Sequence, residues 1–361
     1  MTDSTASEQP LVIVGSYASA EQPGIYLFRL DETTGALSAS ETFAGIFNPS
    51  FVVAHPQQPW LYAVSETSAE QDGVSGHVWA LHFDRDPLRL QPLNHQPSAG
   101  DHPCHLELDA SGKWLLVSNY SSGTVAVLPI REDGSLGEMT DLIQHTGGSG
   151  ANRERQAGPH AHSATFTPDQ RSVIVADLGL DRLLVYTFDA EKGKLLACGH
   201  ADAQPGAGPR HIAFHPNGRF VYVANELNST VSLYDYNAVS GTLQQRQSID
   251  TAPSGRENWI ADIHLSQSGK HVYVSNRGHD SIAVFDVAED GALAQAGTIS
   301  CGGSWPRHFM LAPGGNVVLV ANQHSGDVAV LPLDAESEMI GEATAHAAVP
   351  QASCVQFRIG L

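Results

Sequence analysis

The sequence predicts an all-β protein, a seven-bladed β-propeller with four-stranded blades. Three observations point there: a strand–turn–strand pattern recurs along the chain, a third alternating strand follows each copy, and the two chain ends complement each other.

The pattern is plainest where PRHIAFHPNGRFVYVANE at 209–226 is set beside PCHLELDASGKWLLVSNY at 103–120 and PRHFMLAPGGNVVLVANQ at 306–323. IADIHLSQSGKHVYVSNR at 260–277, AHSATFTPDQRSVIVADL at 161–178 and PSFVVAHPQQPWLYAVSE at 49–66 share its frame. Each reads as a strand, a turn built on Pro, Asp, Asn or Gly, and a second strand of alternating apolar residues. Third strands follow as GIYLFRLD, GHVWALHFD, GTVAVLPI, RLLVYTFD, TVSLYDYN, SIAVFDVA and DVAVLPLD, most leading into turns such as ETTGAL or EDGSL. The residue closing the second strand recurs at Ser16, Ser65, Asn119, Asp177, Asn225, Asn276 and Asn322, at spacings of 46 to 58 residues. The first copy begins midway, at LVIVGSY, and QASCVQFRI at 351–359 reads as its missing inner strand. The C-terminal strand is therefore expected to complete the first blade and close the ring, removing exposed sheet edges. Residues 11–361 are expected to form a single domain behind a flexible segment 1–10.

Composition narrows the classes. With 361 residues, 42% hydrophobic and 16% charged, the chain can bury a large core and does not read as disordered. It has no apolar run approaching a membrane span. MTDSTASEQP lacks the basic and apolar regions of a secretory signal, so a cytoplasmic location is expected. Four cysteines stand far apart, which suits reduced thiols better than a disulfide framework. A formal charge of −20 makes nucleic acid a poor partner. A small anion remains compatible wherever arginines gather in one cleft, and the chain is expected to be a monomer or weak homo-oligomer.

Propeller topology places side chains. Inner strands run from one face to the other and second strands return, so the start of the first and the end of the second share a face near the central channel. The starting column is Ser50, Cys104, His162, Arg210, Ala261, Arg307 and Ser353. The ending column is Tyr17, Glu66, Tyr120, Leu178, Glu226, Arg277 and Gln323. His105, His211 and His308 extend the first column. Ionisable groups facing one another around a funnel cost desolvation, which marks a ligand site; the same charges could instead form an ionic plug.

The glycine-rich segment 137–163 carries Arg153 and Arg155 and leads into His160 and His162. It reads as a mobile loop, either a lid that brings an arginine to substrate or a solvated connection. His160-x-His162 and His102-x-x-His105-x-Glu107 have spacings a metal could use, but carboxylate-rich clusters are lacking, so no metal and no cofactor are expected. His55, His82 and His215 are expected to pack in turns or blades. There is no GxSxG elbow, phosphate-cradling loop or dinucleotide fingerprint.

The segments PHAHSATFTPDQRSVIVADLGLDRL, PRHIAFHPNGRFVYVANELNSTVSLY and ADIHLSQSGKHVYVSNRGHDSIAVF resemble the lactonase seven-bladed propeller family. The resemblance covers nearly the whole chain from Leu11. It implies a lactone hydrolase, with His162, Arg210, Glu226 and Arg277 as catalytic residues. The expected substrate is a small anionic sugar lactone, first 6-phospho-D-glucono-1,5-lactone. An unphosphorylated aldonic or aldaric lactone, a muconate-type lactonising reaction, or a binding propeller without catalysis stay open.

Substrate contacts are expected from Arg307, His160, His211, His308, Glu66, Tyr120 and Arg155. Neutral His162 is expected to act as general base and Glu226, ionised between arginines, to orient water.

Overall fold

The computed structural model describes residues 9–252, 255 and 257–359. They form seven antiparallel four-stranded sheets, the expected all-β propeller, with one four-residue helix at Ala69–Asp72. Residues 9 and 10 already pair with the third strand of the first copy, since Arg29 donates to the Gln9 carbonyl and the Leu30 amide to the Pro10 carbonyl. The remainder of the expected flexible segment lies outside the described residues.

Seven inner strands surround the channel: Ala352–Arg358, Val52–Ala54, Pro103–Leu108, Ala161–Phe166, Pro209–Phe214, Trp259–Leu265 and Pro306–Leu311. The first of these, in blade 1, comes from the C-terminus. It pairs antiparallel with Leu11–Ser16, from Leu11 opposite Arg358 to Ser16 opposite Ala352. The ring closes as the complementary ends predict.

Alternation explains the core. Residues such as Leu61, Ala63, Val117, Val223, Val274 and Val320 are fully buried and pack between neighbouring blades. Each large aliphatic side chain so buried contributes about 1.5–3 kcal/mol. A tyrosine in the second strand also ties a blade to a turn of the next. The Tyr62 hydroxyl donates to the Gly134 carbonyl at 3.0 Å, and Tyr222 does the same to Gly291 at 2.9 Å. The recurrent closing residue has a local reason: Asn119 and Asn225 each donate Nδ2–H to a threonine that opens the third strand, at 3.0 Å. In blade 4, Asp177 replaces the asparagine and accepts from the His160 and Leu180 amides. His55 and His215 cap turns, accepting backbone N–H groups through Nδ1.

A feature invisible to simple alternation positions the site. In six blades the register slips at the start of the inner strand, leaving one extra residue there. The extra residue is Cys104, His162, Arg210, Arg307 or Ser353, and in blade 6 both Ala261 and Asp262 fall in the slip. A bulge re-aims side chains that strict alternation would send to opposite faces. Arg210 and the next residue, His211, thus both reach channel partners, Glu226 and Asp262.

Candidate active site

The column residues converge on Glu226, whose side chain is 6% exposed. Its backbone amide is fixed to the Gly208 carbonyl at 2.7 Å, which sets the end of the second strand against the start of the first. Three guanidiniums hold the carboxylate. Arg210 Nε donates to Oε2 at 3.0 Å, Arg277 Nη2 stands 2.9 Å from the same oxygen, and Arg155 Nη2 donates to Oε1 at 2.7 Å. Burial alone would raise the carboxyl pKa, but Arg277, Arg210 and Arg155 bring it down to about 2. Glu226 is therefore ionised and saturated with donors.

His162 lies beside it, with Nε2 4.0 Å from Glu226 Oε2. Burial, then Arg210, His211, Arg307 and Arg277, hold its pKa well below the usual imidazole range. The ring is neutral at pH 7, with a weaker base than an exposed imidazole.

The arginines are themselves braced. Arg277 donates to the Ile260 carbonyl at 2.9 Å and lies over the Trp305 ring, 5.6 Å from its centroid. Arg307 donates to the Tyr17 hydroxyl at 2.7 Å, and Tyr17 in turn donates to Glu66 Oε2 at 2.8 Å. Ser50 bonds the same Glu66 oxygen.

The glycine-rich segment is tied down and is no free flap. Fully buried Gln156 donates to the Leu178 carbonyl at 2.9 Å and to Asp181 at 2.6 Å. Asn152 caps the Glu154 and Arg155 amides. This anchoring sends Arg155 inward, where it also bonds the Tyr120 hydroxyl at 3.0 Å, while Arg153 is exposed.

These groups enclose a mouth cavity of about 410 Å³. Glu66, Tyr120, His162, Glu226, Arg277 and Arg307 line it, as expected from the columns, and Arg155 joins them from the glycine-rich segment. Four expected site residues sit elsewhere. Arg210 lies behind Glu226, 3% exposed, where it also bonds the Ala261 carbonyl. His160 stacks on Tyr120 at 4.4 Å and backs the wall. His211 and His308 lie one layer deeper, because the bulge sets consecutive residues at different depths; they meet Asp262 instead of the mouth. Trp259, Trp305 and His324 also line the cavity and were not anticipated, since they lie outside both columns. Trp305 has φ +66, a left-handed conformation costly for a bulky residue, and its ring packs edge-on to Trp259 at 5.5 Å. The W-P-R-H run was the available signal: Pro restricts the residue before it, and the Arg behind the Pro is the column residue.

A family model described as a seven-bladed β-propeller lactonase matches residues 11–357. The chain belongs to that lactonase family. This lactonase propeller is 38% identical over 347 residues to a 6-phosphogluconolactonase of Bacillus subtilis, covering 95% of this chain and 97% of that one. A 6-phosphogluconolactonase of Formosa agariphila is 31% identical, covering 96% and 99%. Among solved structures, a periplasmic gluconolactonase of Pseudomonas aeruginosa superposes with a TM-score of 0.90 at 32% identity, covering 97% and 99%. Among the described residues of the lactonase propeller, no helix is long and apolar enough to cross a membrane.

Proposed function

We propose that this protein is a sugar-lactone hydrolase whose substrate is 6-phospho-D-glucono-1,5-lactone, converted with water to 6-phospho-D-gluconate. The observation that carries the reading is the charge at the mouth. Three guanidiniums that line it (Arg155, Arg277, Arg307) and a fourth behind Glu226 (Arg210) stand against two carboxylates (Glu66, Glu226), in a chain whose formal charge is −20. The surplus positive charge suits a phosphorylated lactone, and the tryptophans offer apolar walls for a sugar ring.

In this reading a water between His162 and Glu226 attacks the lactone carbonyl. His162 takes its proton and Glu226 stabilises the resulting imidazolium from 4.0 Å. Arg277, which stands 2.9 Å from Glu226 Oε2 and lines the cavity, receives the developing oxyanion. Collapse breaks the ring C–O bond, the His162 proton passes to the departing ring oxygen, and the acid so formed releases its own proton to solvent to give the carboxylate product. Arg307, across the mouth and held by Tyr17, binds the phosphate. Arg210 positions Glu226 from behind. A phosphorylated sugar is retained by membranes, so the reaction belongs in the cytoplasm.

The likeness to a gluconolactonase supports a second reading, in which the lactone is unphosphorylated and the same machinery acts. Hydrolysis of freshly generated phosphorylated lactone, followed by coupled oxidation of the product and corrected for spontaneous opening, tests the first. Gluconolactone run in parallel tests the second. Turnover of the phosphorylated substrate in large preference supports the proposal, and exclusive turnover of gluconolactone replaces it.

A further inference from the structure

The channel opens again at its far end. A second cavity, about 510 Å³, is lined by later residues of the inner strands, among them Glu107, His264 and Met310. Between the two cavities, Arg210, Arg307, His211 and His308 leave a space of only about 10 Å³. That is at the limit of what one water needs. The far cavity is therefore separate from the candidate active site.

On its wall, Asp262 and His264 of blade 6 meet His308 of blade 7. Asp262 Oδ2 stands 3.0 Å from His264 Nε2 and 3.5 Å from His308 Nε2, and the three atoms all lie within 4.8 Å of one another. Around a tetrahedral zinc ion with bonds of about 2.0–2.1 Å, neighbouring ligand atoms are roughly 3.3–3.4 Å apart. Two edges already bracket that spacing. The third closes by rotation of His264, which is on the open side with its side chain 25% exposed, while Asp262 and His308 are buried at 4% and 5%. The second oxygen of Asp262 is occupied: Oδ1 accepts from His211 Nδ1 at 2.7 Å and from the Ile263 amide at 3.0 Å. Those bonds orient the carboxylate, as outer partners of a metal ligand do.

His105 lines the same cavity, more than nine-tenths buried, and its Nδ1 has no partner among the described residues.

We propose that Asp262, His264 and His308 bind a divalent transition metal of the zinc type, with an open coordination position facing the far cavity. Two imidazoles and one carboxylate suit zinc, cobalt or nickel better than calcium or magnesium, which take oxygen ligands. The ion replaces the Nε2 protons that His264 and His308 direct at Asp262 in the free protein. It also costs the 3.4 Å contact from the Val355 amide to His308 Nδ1. In return it clamps the inner strands of two blades together. The site is independent of the lactonase reading, and its test uses no turnover.

The experiment uses the full chain, freed of metal by chelation and titrated with Zn²⁺ by calorimetry and with Co²⁺ by visible absorption. One metal per chain, a cobalt ligand-field band and a thermal midpoint raised by a few degrees in zinc are expected. His264→Gln, at the rim, keeps the fold and weakens zinc binding about tenfold or more; Asp262→Asn does so further. His200→Gln, at the exposed His200–Asp202 pair, leaves binding unchanged. No saturable binding up to millimolar metal, or equal affinity in His264→Gln, would overturn the proposal.

Discussion

Arg210 donates its Nε–H to Glu226 Oε2 at 3.0 Å from the channel side of the carboxylate, while Arg277 approaches the same oxygen at 2.9 Å. The mouth of the propeller is organised around that shared oxygen. A carboxylate so held cannot titrate near neutrality, and an arginine so buried cannot reach the solvent side.

Glu226→Gln keeps the shape and removes the charge that balances three guanidiniums. Breaking such a buried pair costs about 3–5 kcal/mol. The variant is expected to fold with a lowered thermal midpoint and to lose lactonase kcat by roughly 10²- to 10³-fold, a range usual for lost acid–base or electrostatic help. Arg210→Ala should lower kcat with little change in KM, because Arg210 does not line the cavity. Steady-state kinetics on both variants checks this, and a purely KM effect for Arg210→Ala would remove it from its positioning role.

Arg307→Ala separates the two substrates. Losing a charge-assisted contact to phosphate, about 1.5–3 kcal/mol, should raise KM for the phosphorylated lactone roughly 10- to 150-fold. KM for unphosphorylated gluconolactone should hardly move. Equal losses on both substrates would show that Arg307 serves the common ring.

The pH dependence carries signs that can be read in advance. His162 has a folded pKa held well below 6.5, so the unfolded chain binds its proton first. Its contribution to stability is full above about pH 6.5 and fades as pH falls through the folded value. Glu226, depressed to about 2 from 4.5, adds a second loss, confined to the window between those values. In activity, the acid limb of kcat/KM, which reports the free enzyme, should lie below pH 6.5. The limb of kcat should lie higher, because bound phosphate offsets the cationic field on His162. Coincident limbs would argue against His162 as base.

Gln156→Ala cuts the two bonds that anchor the glycine-rich segment beneath Leu178 and Asp181. Arg155 is then no longer delivered to Glu226. A loss of kcat/KM with the near-native thermal midpoint of a local change is expected, measured by kinetics and calorimetry together. Full activity would show that Arg155 finds its place without the anchor.

Chelation of divalent metals should leave lactonase activity unchanged. The guanidiniums fill the positions around Glu226 and their field repels a cation, so the chemistry at the mouth has no place for one. Activity lost on chelation and restored by zinc would reverse this and tie the far site to turnover.

The fold was legible because each blade repeats the same requirements: apolar alternation, a turn, and a small polar residue (Asn in four blades, Ser or Asp in the rest) that closes the second strand. The columns followed from topology, and they brought together Glu66, Tyr120, His162, Glu226, Arg277 and Arg307 as expected. Depth was not legible. A period-two pattern has no mark for a bulge, so His211 and His308 read as neighbours of Arg210 and Arg307 when they lie a layer below. Trp305 went unseen because its placement depends on the loop backbone before the inner strand, and Trp259 because it opens its inner strand two residues ahead of the column position Ala261. The Arg155–Glu226 bond spans 71 residues, and only the buried Gln156 reveals why it forms.

The pairing of Leu11–Ser16 with Ala352–Arg358 also sets a clock on synthesis. The first strands leave the ribosome with one edge bare, and their partner is made only after the other six blades. At about 5–20 residues per second, the wait is on the order of 17 to 70 seconds. Through that interval blade 1 offers an open row of amide and carbonyl groups to any passing strand. The nascent chain is thus exposed to mispairing at blade 1 while the other six blades are made, and a stop codon just before Ala352 would make that exposure permanent.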